Sequence, residues 1–210
     1  MLTVHHLGKS QSERIVWLCE ELEIPYRLLH YSRDPVTHLA PADYRALHPT
    51  GTAPIITDGS LILPESGAII EYVIARYGGG RLKVSPESID FPSYLFWFHF
   101  ANASLLPNLT ATVRAAVLGH DYAVDVRPSR VDRAMSLIEA RLAEARYFAG
   151  ELFSAADIMM FFPLTTLRHF RPIELAGFPN IRGYLKHVGE RPAYLQAMRK
   201  SDPNMPLMLA

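Results

Sequence analysis

Two short clusters place hydroxyls and a carboxylate beside turns, where backbone geometry can aim them at a ligand. The first is "GKSQSER", Gly8 to Arg14, in which Ser10 and Ser12 stand where an apolar strand segment gives way to a helical pattern. A hydroxyl there can cap the helix by accepting an amide N–H, or it can donate to an anion such as a thiolate. The second chemistry does not require serine to ionise. A free thiol has a pKa of about 8.5, and hydrogen bonds to its charged form lower it. One charge-assisted bond of about 1.5–3 kcal/mol lowers a thiol pKa by roughly one to two units.

The second cluster is "APIITDGSLILPESGAI", Ala53 to Ile69. Pro54 precedes a β-branched run, as suits a residue with no N–H to give to a ladder. A cis bond here would turn the Ala53 N–H and C=O outward toward an extended peptide, although only about 5–6% of X–Pro bonds in folded proteins are cis. Glu65 and Ser66 open a helix. The Ser66 N–H and hydroxyl suit a carboxylate at the positive helix end, and the Glu65 carboxylate suits an ammonium. Together they would hold an α-amino-acid head group; the alternative is a plain capping pair.

Other reactive side chains read as structural. His5 and His6 point to opposite faces of a strand, and no His, Asp or Glu set has metal-ligand spacing. Cys19 lies inside the first helix on its apolar face, a core position.

The hydrophobic pattern supplies the scaffold. Leu2–Leu7 reads as a strand and Ser10–Leu22 as a helix, with Ile15, Leu18, Cys19 and Leu22 on one face. Tyr26–Tyr31 reads as a second strand, and Pro41–Leu47 as a short helix. "PIIT" and "LIL" flank Asp58-Gly59, a hairpin signal, and Glu65–Gly78 closes this part as a helix. From Asp90 onward strand signals cease. Phe91–Gly119 is a long apolar helical stretch with a kink expected at Pro107, and Ser129–Phe148 is an amphipathic helix. Another helix follows, with Ser154 as N-cap and Asp157 at N3, then two shorter helices near Tyr184 and Leu195. The expected organisation is an α/β domain at 1–80, a linker at 81–90 and an all-α domain at 91–210.

Composition narrows the function classes. The chain has 210 residues, 49% hydrophobic and 20% charged, enough for a sizeable core. Twenty-one basic residues balance 21 acidic ones, which gives no electrostatic case for nucleic acid or an anionic membrane as partner. One cysteine excludes an internal disulfide and suits a reducing compartment. No secretory signal is visible, and "IMMFFPLTTL" is too short to span a bilayer. A soluble cytoplasmic protein is expected.

The combination resembles the cytosolic glutathione S-transferases over nearly the whole chain. The resemblance implies a thioredoxin-like N-terminal domain followed by an all-α domain. "SQSER" is similar to the theta- and delta-like branch, in which a serine four residues before an arginine activates the glutathione sulfur; Ser10 and Arg14 hold those places. By the same resemblance Ala53, before a cis Pro54, binds the glutathione cysteine through its backbone, and Glu65 and Ser66 hold the γ-glutamyl end. His38 in "HLAPADY" would reach the glycine carboxylate. Thr52 stands where many relatives carry lysine or another side chain that reaches glutathione. Phe98, Asn102 and Leu106, spaced at four, would line the electrophile pocket.

The implied activity is detoxifying conjugation: the glutathione thiolate attacks a small hydrophobic electrophile by substitution or addition, in a homodimer without metal. Ser12 is the alternative thiolate donor. Two other functions fit the same residues, namely binding glutathione or a partner protein without turnover, and reduction of organic hydroperoxides. The first strand has no tyrosine to serve instead of serine, and the position of Cys19 disfavours thiol–disulfide exchange.

Overall fold

A computed structural model describes the backbone of residues 1–117 and 129–210, and the side chains of 1–111 and 129–210. The elements run β1 (Thr3–Leu7), α1 (Glu13–Glu21), β2 (Arg27–Tyr31), α2 (Ala42–Arg45), β3 (Ile55–Asp58), β4 (Leu61–Pro64) and α3 (Ser66–Arg76). Then come α4 (Phe91–Phe100), α5 (Leu106–Val117), α6 (Arg130–Glu144), α7 (Ala155–Leu164), α8 (Pro179–Gly189) and α9 (Pro192–Ser201). Two compact units result: Met1–Lys83 with Val188–Leu207, and Val84–His187 with Met208–Ala210.

The first unit holds a mixed sheet in the order β2-β1-β3-β4, with β1 parallel to β2 and antiparallel to β3. The β3–β4 hairpin pairs Asp58 with Leu61, so Gly59 and Ser60 make the turn, and Gly59 takes the positive φ it needs. Tyr72 on α3 and Tyr77 at its C-cap both donate to the Asp58 carboxylate, which ties the helix across the hairpin. Ile15, Leu18, Cys19 and Leu22 are all buried, as their helical spacing requires. Burial pushes the Cys19 thiol pKa far up, which keeps it an inert core group.

The sequence expectation kept every residue after 91 in the helical part, yet α9 packs in the first unit. The Trp17 and Tyr194 rings meet edge-on at 5.0 Å between α1 and α9. Arg191 donates twice to Glu21, at 2.7 Å each, and Lys200 reaches Glu20 at 2.6 Å. Nothing in the local pattern of an amphipathic helix says which partner its apolar face will choose.

In the second unit, α7 is buried along its whole length. Ser154 and Asp157 form the expected capping box, and Ser129 and Asp132 form another on α6. The Asp157 carboxylate accepts from the Phe148 and Ser154 amides, both at 2.9 Å, and from the Tyr184 hydroxyl at 3.1 Å. The irregularity expected at Pro107 takes the form of a π-helical segment at Ala101–Leu105, one turn earlier. Proline lacks a donor and crowds the carbonyl four residues back, so the widened turn falls on its N-terminal side. The last residues of the expected helix, Leu118 and Gly119, lie outside the described residues. Among the described residues no helix is long and apolar enough to cross a membrane.

Candidate active site

The site is built on the loop between β1 and α1. Lys9 has φ 52°, which turns its N–H onto both carboxylate oxygens of Asp202, at 3.1 and 3.3 Å. Arg33 holds the same loop from the other side: its Nε donates to the Gly8 carbonyl at 2.9 Å and its guanidinium to the His38 carbonyl at 2.9 Å. Ser10 therefore sits on a backbone restrained before any ligand arrives.

Neither expected capping role is realised by a side chain. Ser12 occupies the N-cap position of α1, but its hydroxyl does not take a helix amide. It lies instead 2.9 Å from His6 Nδ1 and accepts the Leu7 N–H at 3.2 Å. Ser10 Oγ lies 2.8 Å from Ser12 Oγ and accepts the Ser12 N–H at 3.2 Å. His6 Nε2 meets Asp202 Oδ2 at 3.1 Å. Ser12 is fully buried, whereas Ser10 is 5% exposed and stands at the outer end of the chain Asp202–His6–Ser12–Ser10. His5 faces the other side of the sheet, bonded to Tyr31 Oη and Thr57 Oγ1, as the alternation of strand side chains requires. Burial, assisted by Arg27, holds its pKa below the ordinary histidine value.

At α3, Glu65 stands at the N-cap with φ 76° and ψ 120°, and its side chain makes no capping bond. A non-glycine residue held in this region is strained, a cost commonly carried at ligand sites. The Glu65 side chain is exposed, while Ser66 beside it is buried. The Ser66 hydroxyl donates to Gln11 Oε1 at 3.3 Å and accepts from the Arg14 guanidinium at 3.3 Å. Arg14 also donates to Gln11 Oε1, so one buried cation ties the start of α1 to the start of α3. Burial pulls the Arg14 pKa down to about 9, against the charge of Glu13, and the group stays charged at neutral pH.

The Ala53–Pro54 peptide is cis. The pairing of His5 with Ile55, continued two residues, carries Leu7 to the level of Ala53, and the two side chains share one apolar cluster with Tyr44. Thr52 is exposed beside them. His38 is exposed, with φ 58°, on a turn where Asp34 accepts the Val36 and Thr37 amides. The first unit thus carries Ser10, His38, Thr52, Ala53, Pro54, Glu65 and Ser66. Sequence reasoning missed His6, Asp202, Gln11 and Arg33 as parts of this site. Asp202 lies 196 positions from His6, so no spacing signal could join them.

Phe98, Asn102 and Leu106 belong to the second unit. Phe98 is buried against Tyr94 at 5.7 Å, while Asn102 and Leu106 are half-buried. The π segment between Phe98 and Leu106 breaks the simple four-residue stripe on which the three were grouped. Among the described residues no group of three or more His, Cys, Asp or Glu can hold a metal ion.

A mixed four-stranded sheet with a cis-proline at the start of β3, followed by a helical unit, defines a thioredoxin-like domain joined to an all-α one. Residues 6–81 match the glutathione S-transferase N-terminal domain family, and residues 107–192 match the glutathione S-transferase C-terminal domain family. The chain is 34% identical to glutathione S-transferase 3 of Schizosaccharomyces pombe, over 97% of this chain and 89% of that protein. It is 29% identical to glutathione S-transferase GstB of Escherichia coli, over 92% and 95%. A crystal structure of a glutathione S-transferase from Actinobacillus pleuropneumoniae superposes with a TM-score of 0.86 at 31% identity, over 100% of this chain and 99% of that one. The chain belongs to the glutathione S-transferase family.

Proposed function

We propose that this glutathione transferase is a serine-type enzyme in which the Ser10 hydroxyl stabilises the glutathione thiolate for attack on small hydrophobic electrophiles. The observation that carries this reading is the hydroxyl pair Ser10–Ser12. Neither side chain is spent on the helix amides, and Ser10 is the outer of the two. Ser12, saturated by His6, Leu7 and Ser10, has no bond left for a ligand.

Glutathione is the co-substrate. The Ala53 backbone, beside the cis bond, takes its cysteine; Glu65 and Ser66 take the γ-glutamyl ammonium and carboxylate; His38 takes the glycine carboxylate; and Thr52 adds a contact at the strand entry. The strained Glu65 and the Arg14–Gln11–Ser66 tie support the head-group assignment. Phe98, Asn102 and Leu106 are assigned to the electrophile, and the working unit is a cytoplasmic homodimer. Catalysis comes from holding the sulfur beside its target and from stabilising its charge before the reaction starts.

Ser10→Ala tests the reading. Loss of one charge-assisted bond lowers kcat/KM at neutral pH by about ten- to a hundredfold, with glutathione still retained on an affinity column. Undiminished conjugation by Ser10→Ala overturns it.

A further inference from the structure

The chain from Asp202 to Ser10 does more than hold a loop. We propose that the Asp202–His6 pair is the proton acceptor for the glutathione thiol, with Ser12 and Ser10 as the two links that carry the proton. This rests on Ser10 being the residue that faces sulfur.

The hydrogen bonds fix the resting direction of the chain. Asp202 Oδ2 accepts from His6 Nε2 at 3.1 Å, so the neutral ring carries its proton on Nε2 and leaves Nδ1 bare. Ser12 then donates to Nδ1 at 2.9 Å in preference to the Leu7 carbonyl at 3.4 Å. Ser12 Oγ has two lone pairs, taken by the Leu7 N–H at 3.2 Å and the Ser10 hydroxyl at 2.8 Å. Ser10 therefore points its proton inward, accepts the Ser12 N–H at 3.2 Å, and keeps one lone pair for an incoming S–H.

Shifting one proton along this chain reverses the bonds from the sulfur to His6 Nδ1, keeps the bond from His6 Nε2 to Asp202, and leaves no group unpaired. The S–H proton passes to Ser10 Oγ, the Ser10 proton to Ser12 Oγ, and the Ser12 proton to His6 Nδ1. The products are a thiolate and an imidazolium held by Asp202; no electron changes owner. Ser10 now donates to sulfur, which is the bond the thiolate needs. In an addition the proton can return by the same route to the adduct; in a substitution it leaves to solvent while the leaving group carries off its electron pair.

The surroundings suit a cation appearing on His6. The ring is 1% exposed, a burial that disfavours charge, and the Asp202 carboxylate after α9 supplies the countercharge that offsets it. From β2, His30 lies edge-on at 5.7 Å with its own Nε2–H donated to the Lys200 carbonyl at 2.8 Å. Arg33, at the end of β2, is the charge that acts against Asp202 and also holds the Gly8 and Lys9 carbonyls. His6 acts through the two serines, so it and Asp202 are positioning and proton-holding residues that do not touch the sulfur.

Asp202→Asn separates this role from a structural one. The amide keeps a carbonyl for the Lys9 N–H but carries no charge to hold an imidazolium, so the thiol proton loses its acceptor. A buried aspartate that stabilises the imidazolium formed beside it has this kind of control in serine proteases. The readout is the ultraviolet absorbance of the thiolate of enzyme-bound glutathione as a function of pH. The midpoint is expected to rise by about one unit or more, a tenfold loss of thiolate below it, with glutathione affinity within about twofold of the parent, so that kcat falls and KM does not. Ser12→Ala, which removes one link, is expected to shift the midpoint in the same direction, and Asp202→Glu to restore it in part.

A folded Asp202→Asn or Ser12→Ala whose midpoint does not move overturns the relay while leaving Ser10 in place. An unchanged midpoint in Ser10→Ala overturns both. On the unaltered enzyme, the rate of thiolate formation in mixtures of light and heavy water should fall along a bowed curve, since several protons move together; a straight line overturns the relay without any variant.

Discussion

Gln11 lies in the turn that enters α1 and Ser66 opens α3, yet the Ser66 hydroxyl donates to the Gln11 side-chain carbonyl at 3.3 Å, and Arg14 donates to both. The residue proposed to bind the γ-glutamyl group is thereby held by the helix whose entry carries Ser10.

Gln11→Ala should therefore weaken glutathione binding without altering the chemical step. It removes acceptors from Ser66 and Arg14, two bonds of about 1 kcal/mol each, so KM for glutathione should rise by up to about thirtyfold with kcat nearly unchanged. Steady-state kinetics with glutathione varied checks this; a fall in kcat with KM constant would contradict it.

Glu65→Gly should separate strain from recognition. Glycine adopts φ 76° without a Cβ penalty, which relieves about 1–2 kcal/mol at the expense of about 0.5–1 kcal/mol of chain entropy. Thermal stability should stay level or rise slightly, while KM for glutathione rises at least tenfold. The same variant should lose its preference for glutathione over an analogue lacking the γ-glutamyl amino group.

Asp157 gives the helical unit a pH dependence. Full burial pushes its pKa up to about 6, against four hydrogen bonds that favour the charged form. A carboxyl with a raised folded pKa contributes stability that is complete below its unfolded pKa, about 4, and is lost as pH rises through about 6. The stability gap between the protein and Asp157→Asn should widen as pH falls from 7 to 4, by about 2–3 kcal/mol. At pH 7 the variant should still be weaker by about 1–3 kcal/mol, since one amide carbonyl cannot serve the acceptors' full set of donors. Urea unfolding at a series of pH values measures both.

Tyr194→Ala tests the docking of α9. The ring is buried against Trp17, and its removal should cost about 3–5 kcal/mol. Because α9 delivers Asp202 to Lys9 and His6, the folded fraction should also show a raised thiolate midpoint. Arg191→Ala, which breaks the paired bonds to Glu21 with Arg191 28% exposed, should cost no more than about 1–2 kcal/mol.

Local pattern was enough for the strands, most helices and the capping box of α7. It was enough because those features depend on residues within four positions of one another: the face of Ile15, Leu18, Cys19 and Leu22, the Gly59 turn, the Ser154–Asp157 box. The glutathione S-transferase family was legible for a related reason. Ser10, Pro54, Glu65 and Ser66 each lie at an element boundary, and boundaries are where local sequence speaks most directly about backbone.

Tertiary structure decided what those residues touch. Ser12 looked like a helix cap until the sheet brought His6 beneath it, and a histidine nitrogen at 2.9 Å engaged its hydroxyl. Asp202 reached His6 only because α9 packs on α1, through Tyr194 and Trp17 rings that no local spacing relates. A sequence specifies which faces are apolar and which groups can donate or accept; only the packed chain, where every buried polar group must find a partner, assigns each donor to its acceptor.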